Sequence, residues 1–106
     1  SPAANARDVQ FVLKEAESKN ESNADVVEKV REVKRAYNEA KTREDKERLS
    51  TALIDAAVAA RKFYDANGSF LTETERKARD RNRGIREVRE ERRRTKLLEQ
   101  YGVEEE

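Results

Sequence analysis

The chain has 106 residues, of which 35% are hydrophobic and 44% charged, and its 24 basic and 23 acidic side chains leave a net charge of +1. So even a balance favours neither a membrane surface nor a polyanion by net charge, and so few apolar residues support a fold only if they recur with a period. Cysteine, histidine, methionine and tryptophan are all absent, which removes disulfides, thiolate and imidazole metal ligands, and the side chain that titrates near neutrality.

The first predicted helix covers about 2–18, with Ser1 as N-cap, Pro2 at the first helical position, and Ala6, Val9, Val12, Leu13 and Ala16 on one face. The polar turn SKNESN ends it. Asn23 is expected to cap a second helix over about 24–41, whose face is Val26, Val27, Val30, Val33, Tyr37 and Ala40. So many valines disfavour a helix intrinsically, so packing has to overrule propensity there. Thr42, followed by acids in the first turn, starts a third helix over about 43–66 with Leu49, Ala52, Leu53, Ala56, Ala57, Ala60, Phe63 and Tyr64 inward. Asn67-Gly68 is its expected left-handed stop. Thr72 and Glu75 form a capping box, with Phe70 and Leu71 as the hydrophobic staple, for a fourth helix over about 73–100 that stops at Gly102. An acidic tail occupies 103–106. The expectation is one all-α domain over 1–106, a four-helix bundle-like arrangement with short loops and a long, Arg-rich C-terminal helix.

Ile54 and Val58 lie nearly opposite the Leu49/Leu53/Phe63 face, which places the third helix between two layers. The fourth helix is expected to cover them, with a homodimer contact as the alternative. Phe11 is also off its stripe and reads as a lone surface aromatic. Ile54, Val58 and Phe11 are therefore the candidate interface residues.

In RKARDRNRGIREVREERRR, residues 76–94, arginine takes nine of nineteen positions. The helix stripe there is thin: Leu71, Thr74, Ala78, Ile85, Val88, Thr95 and Leu98, with Leu71, Ala78 and Ile85 spaced by seven. Residues 76–96 hold eleven bases against four acids, Asp80, Glu87, Glu90 and Glu91. The arginines read as spread around the cylinder, with Glu73–Lys77, Glu75–Arg79 and Glu90–Arg94 as pairs worth about 0.2–0.5 kcal/mol each. With acids interleaved and no aromatic before Tyr101, a solvated helix is favoured over an RNA-binding arm. Gly84, costing about 1 kcal/mol against alanine in mid-helix, suggests a bend or the close approach of another helix.

No catalytic or cofactor motif can be assembled. Without histidine, neither Glu-x-x-His nor His-Glu-x-x-His exists. DANGS at 65–69 resembles part of a calcium loop but lacks its closing glutamate, since residue 76 is Arg. Three glycines, at 68, 84 and 102, make no phosphate cradle. Asn20-Glu21-Ser22 and Asn67-Gly68-Ser69 match the glycosylation sequon by the chance composition of turns. No enzyme activity, cofactor, metal or membrane partner is expected, and no partner is required. No apolar run suits a membrane span or a signal peptide, so the chain is expected to be soluble, and cytoplasmic if expressed in a cell. With no methionine anywhere, Ser1 is expected to follow a cleaved tag or pro-segment.

Together the residues resemble computationally designed helical proteins. The likeness lies in the four missing residue types, the caps at Ser1-Pro2, Asn23, Thr42 and Thr72, the Arg/Glu-rich surface, and the Ala-rich ALIDAAVAARKF. The long loops SKNESN and NGSFLT, the valines and Gly84 depart from idealised designs and suit assembly from natural helical fragments, or a redesigned natural bundle. The resemblance implies a scaffold whose role is to fold, with no evolved activity. Two other classes stay open beside it: a helix-mediated interaction module such as a homodimer, and, less favoured, an Arg-rich RNA-binding module.

Overall fold

The computed structural model describes residues 2–102, with side chains from Ala6 onward. The expected Ser1 cap and the acidic tail 103–106 lie outside the described residues. Four helices and no strand are found among those described: α1 (Pro2–Ser18), α2 (Asp25–Glu39), α3 (Arg43–Asn67) and α4 (Glu73–Tyr101). The fold is all-α. The chain divides into two units, 1–72 and 73–106.

In the first unit, α3 packs against both α1 and α2. Its core is built from small and β-branched side chains: Val9, Val12 and Ala16 from α1, Ala24, Val27 and Val30 from α2 and its cap, and Ala56, Ala57 and Ala60 from α3. The packing overrules the poor helix propensity of the valines, since Val12, Val27 and Val30 are almost fully buried. Alanines on α3 let two helices approach it closely, and their burial costs no rotamer entropy. Of the α3 residues expected inward, Ala56, Ala57 and Ala60 are buried, and Leu49, Ala52, Leu53, Phe63 and Tyr64 are half-buried.

One correction concerns Phe70 and Leu71. The sequence assigns them to the start of α4, yet both are buried in the core of the first unit, at 0% and 6% exposure. Phe70 is the largest fully buried side chain described. Leu71, first in the Leu71–Ala78–Ile85 spacing, is thus part of the first unit's core.

Helix ends follow local chemistry. α1 ends in a Schellman motif: Asn20 takes the left-handed conformation at φ 56°, and the Glu21 and Asn20 N–H groups donate to Ala16 O (2.7 Å) and Glu17 O (3.1 Å). Gly68 (φ 70°) and Gly102 (φ 62°) end α3 and α4 in the same conformation, donating to Tyr64 O (2.7 Å) and Leu98 O (2.8 Å). The Thr42 side chain accepts from Asp45 N–H at 3.1 Å, the expected cap. Asn23 does not cap α2. The cap position is Ala24, fully buried and without a side-chain bond, and Asp25 and Glu28 meet the positive end of the helix instead. At the other end of α2, Lys46 donates to Tyr37 O (3.2 Å) and so satisfies one of the helix's last carbonyls.

In the second unit α4 runs unbroken through 29 residues and buries none of them. Gly84 sits in open space: a methyl group added there would meet nothing within 4 Å. The close helix approach expected at this glycine is absent among the described residues.

Candidate functional site

Three places gather polar or exposed groups that could do more than hold the fold. The first is the buried carboxylate of Glu21. This residue follows the left-handed Asn20 that stops α1, and the stop turns its side chain inward, where it is 6% exposed. Oε1 accepts the Phe70 N–H at 3.0 Å and Oε2 accepts the Ser69 hydroxyl at 2.5 Å. Ser69 Oγ in turn accepts the Leu71 N–H at 3.1 Å. A carboxylate beside a serine is the beginning of nucleophilic catalysis when the serine faces a cleft. Here Ser69 is itself only 6% exposed, and its oxygen is occupied by one donated and one accepted bond. The arrangement clamps the α3–α4 loop to the end of α1 and closes the backbone donors that would otherwise be buried without partners.

The sequence reading did not single out Glu21 or Ser69. Both lay inside sequons read as chance turns, and their pairing spans 48 residues, beyond any local pattern. The available signal was an acid directly after a left-handed Asn, where Schellman motifs usually place an apolar residue.

The second place is the aromatic seam between α1 and α3. The Tyr64 hydroxyl donates to Glu15 Oε1 at 3.0 Å. Its ring stacks on Phe70 (centroids 4.5 Å apart, 28°) and meets Phe11 edge to face (5.8 Å, 72°). The Lys19 ammonium lies 4.9 Å from the centre of the Tyr64 ring. Hydrogen bonding to Tyr64 holds the Lys19 pKa above its ordinary 10.5, against the desolvation that opposes it. The Arg61 guanidinium lies 3.9 Å over the Phe11 ring and 3.2 Å from Asp8 Oδ1. Phe11 is thus no lone surface aromatic; it is half-buried in this seam. Ile54 and Val58, the other two candidate interface residues, are half-buried on α3. Phe11 is engaged by Arg61 and Tyr64.

Between α2 and α3 the small side chains leave an open groove of about 440 Å³, lined by Val26, Val33, Ala52, Ala56 and Ala59 with Lys29 and Asp55 beside them. Converging polar groups, which orient a small ligand in a pocket, do not line it.

The third place is α4. Its ion pairs include Lys77–Glu73 (3.5 Å), Arg83–Asp80 (3.0 Å) and Arg94–Glu91 (3.6 Å). All are exposed and contribute little to stability. Ile85 and Val88 are each 50% exposed, and Leu97 and Tyr101 are exposed as well. Among the described residues no cluster of acids could hold a metal ion, and no helix is long and apolar enough to cross a membrane.

Comparison with known proteins finds no matching family model, no matching curated protein and no matching solved structure.

Proposed function

We propose that this chain is a designed helical structural protein, a scaffold whose role is to adopt its fold and present its helices, with no catalytic activity of its own. One observation carries the reading: α1, α3 and α4 each end at a left-handed residue placed there by their own local sequence, Asn20, Gly68 and Gly102. Local stop signals, the Thr42 cap, helix-spaced ion pairs and a core of alanine and valine all favour the same arrangement. Such consistency across levels is what specifies a structure. The test is circular dichroism beside light scattering. The expected result is a strongly helical spectrum, cooperative unfolding and the 12.3 kDa mass of a single chain. A non-cooperative melt or a coil spectrum would refute the scaffold reading.

A second reading, a homodimer joined through helix faces, is favoured by the half-buried Ile54 and Val58. It requires twice the single-chain mass, and it requires Ile54→Glu with Val58→Glu to halve that mass while leaving helicity intact.

A further inference from the structure

Between residues 76 and 96 the unbroken helix of α4 separates charges that are mixed in the linear sequence, whereas Glu75 and Glu99 towards its ends fall on the basic side. At 3.6 residues per turn, Arg81, Arg86, Arg89, Arg92, Arg93 and Lys96 fall within an arc of about 140°. The four acids of 76–96, Asp80, Glu87, Glu90 and Glu91, fall within an arc of about 100° on the other side. The ion pairs respect this division. Arg83 and Arg94, which pair with Asp80 and Glu91, stand on the acidic side. Among the described residues, none of the six bases on the other face has an ion-pair partner, and all six are exposed. The arginines are therefore not evenly spread around the cylinder, and a count along the chain cancels charges that point in opposite directions.

From this face we infer that α4 binds double-stranded DNA, lying in the major groove with these six bases toward the phosphates. Charge complementarity calls for an anionic partner, and a symmetric contact of this face with its own copy would bring like charges together. Single strands are bound through stacked aromatics, and this face has none. A helix lying on a lipid surface needs a broad apolar side, and only Ala78 and Ile85 share this one. A helix with its side chains is about 10–12 Å across, matching a B-form major groove of about 12 Å, whereas the major groove of duplex RNA is deep and narrow. From Arg81 to Lys96 the face spans about 22 Å, the length of about seven base pairs. The assignment goes beyond the scaffold reading and does not depend on it.

Fluorescence anisotropy of the full chain with a labelled DNA duplex tests the inference. Six phosphate contacts give a log–log salt slope of about −5, a loss of about 10³-fold in affinity between about 50 and about 200 mM salt. Two double variants remove the same net charge. Arg89→Gln with Arg93→Gln reduces the slope by about 2 and weakens binding about tenfold or more at low salt. Arg83→Gln with Arg94→Gln leaves both unchanged. Circular dichroism confirms that both variants keep their helix. No binding at low salt, equal losses in the two doubles, or equally tight binding of an RNA duplex or of poly-glutamate would each overturn the assignment.

Discussion

The Glu21 carboxylate accepts the backbone N–H of Phe70 at 3.0 Å across 49 residues of chain. Through that bond the loop after α3 is fastened to the turn after α1, and the largest buried side chain is held in place. A carboxylate at such a depth is tolerated because donors meet both of its oxygens; without them its burial would be costly.

Replacing Glu21 by alanine leaves the Phe70 N–H and the Ser69 hydroxyl buried without their acceptor. The expected loss is about 2–3 kcal/mol of stability, measured by urea unfolding. Glu21→Gln keeps one acceptor and should lose only about 1 kcal/mol. Equal stability of wild type and the alanine variant would show that the clamp contributes nothing.

The core tolerates change in neither direction. Phe70→Ala, at a fully buried position, should cost about 3–5 kcal/mol through lost burial and the cavity left behind. Ala60→Leu, also fully buried, should cost about 1–3 kcal/mol by forcing α3 away from its neighbours. Thermal melts of the two variants provide the comparison, and both midpoints should fall.

Two glycines should respond with opposite sign to the same substitution. Gly84→Ala meets no obstacle and should stabilise α4 by about 1 kcal/mol, seen as slower amide exchange around residue 84. Gly68→Ala places a Cβ at φ 70° and should lose about 1 kcal/mol, seen as a lower melting temperature of the first unit.

The Lys19–Tyr64 contact carries a pH signature. Because folding raises the Lys19 pKa above 10.5, its favourable contribution is fully present below that pH and is lost as pH rises through the folded value. Lys19→Gln should therefore be less stable than wild type at pH 9, and the gap should close at more alkaline pH. Urea midpoints of the two proteins, taken at stepped pH, measure it. A gap that stays constant would show that the charge of Lys19 is not involved.

Three of the four helices were legible from their own start or stop, and α2 from its valine stripe. Gly68 and Gly102 need a left-handed backbone, Thr42 has an oxygen to offer, and the apolar stripes repeat at a helical period. Periodicity gave the inward face of α3 but not which of its residues lie deepest; where α1 and α2 both pack on α3, the alanines do. Phe70 and Leu71 precede α4 in sequence and look like its staple; only the distant Glu21 assigns them to the first unit. Phe11 looked solitary because Arg61 and Tyr64, which surround it, lie about fifty positions further along. On α4 the bases were counted correctly but summed along the chain, which hides what the register of the helix separates.

The placing of the three tyrosines has a practical result in a protein without tryptophan. Tyr64, wedged between Phe70 and Phe11, will report by its ultraviolet emission on the joining of α1 to α3. Tyr37, beneath the Lys46 ammonium, does the same for α2 against α3, while Tyr101, open to water near the end of α4, supplies the baseline. Phenylalanine at one tyrosine at a time would thus turn an ordinary fluorescence melt into a record of which part of the chain lets go first.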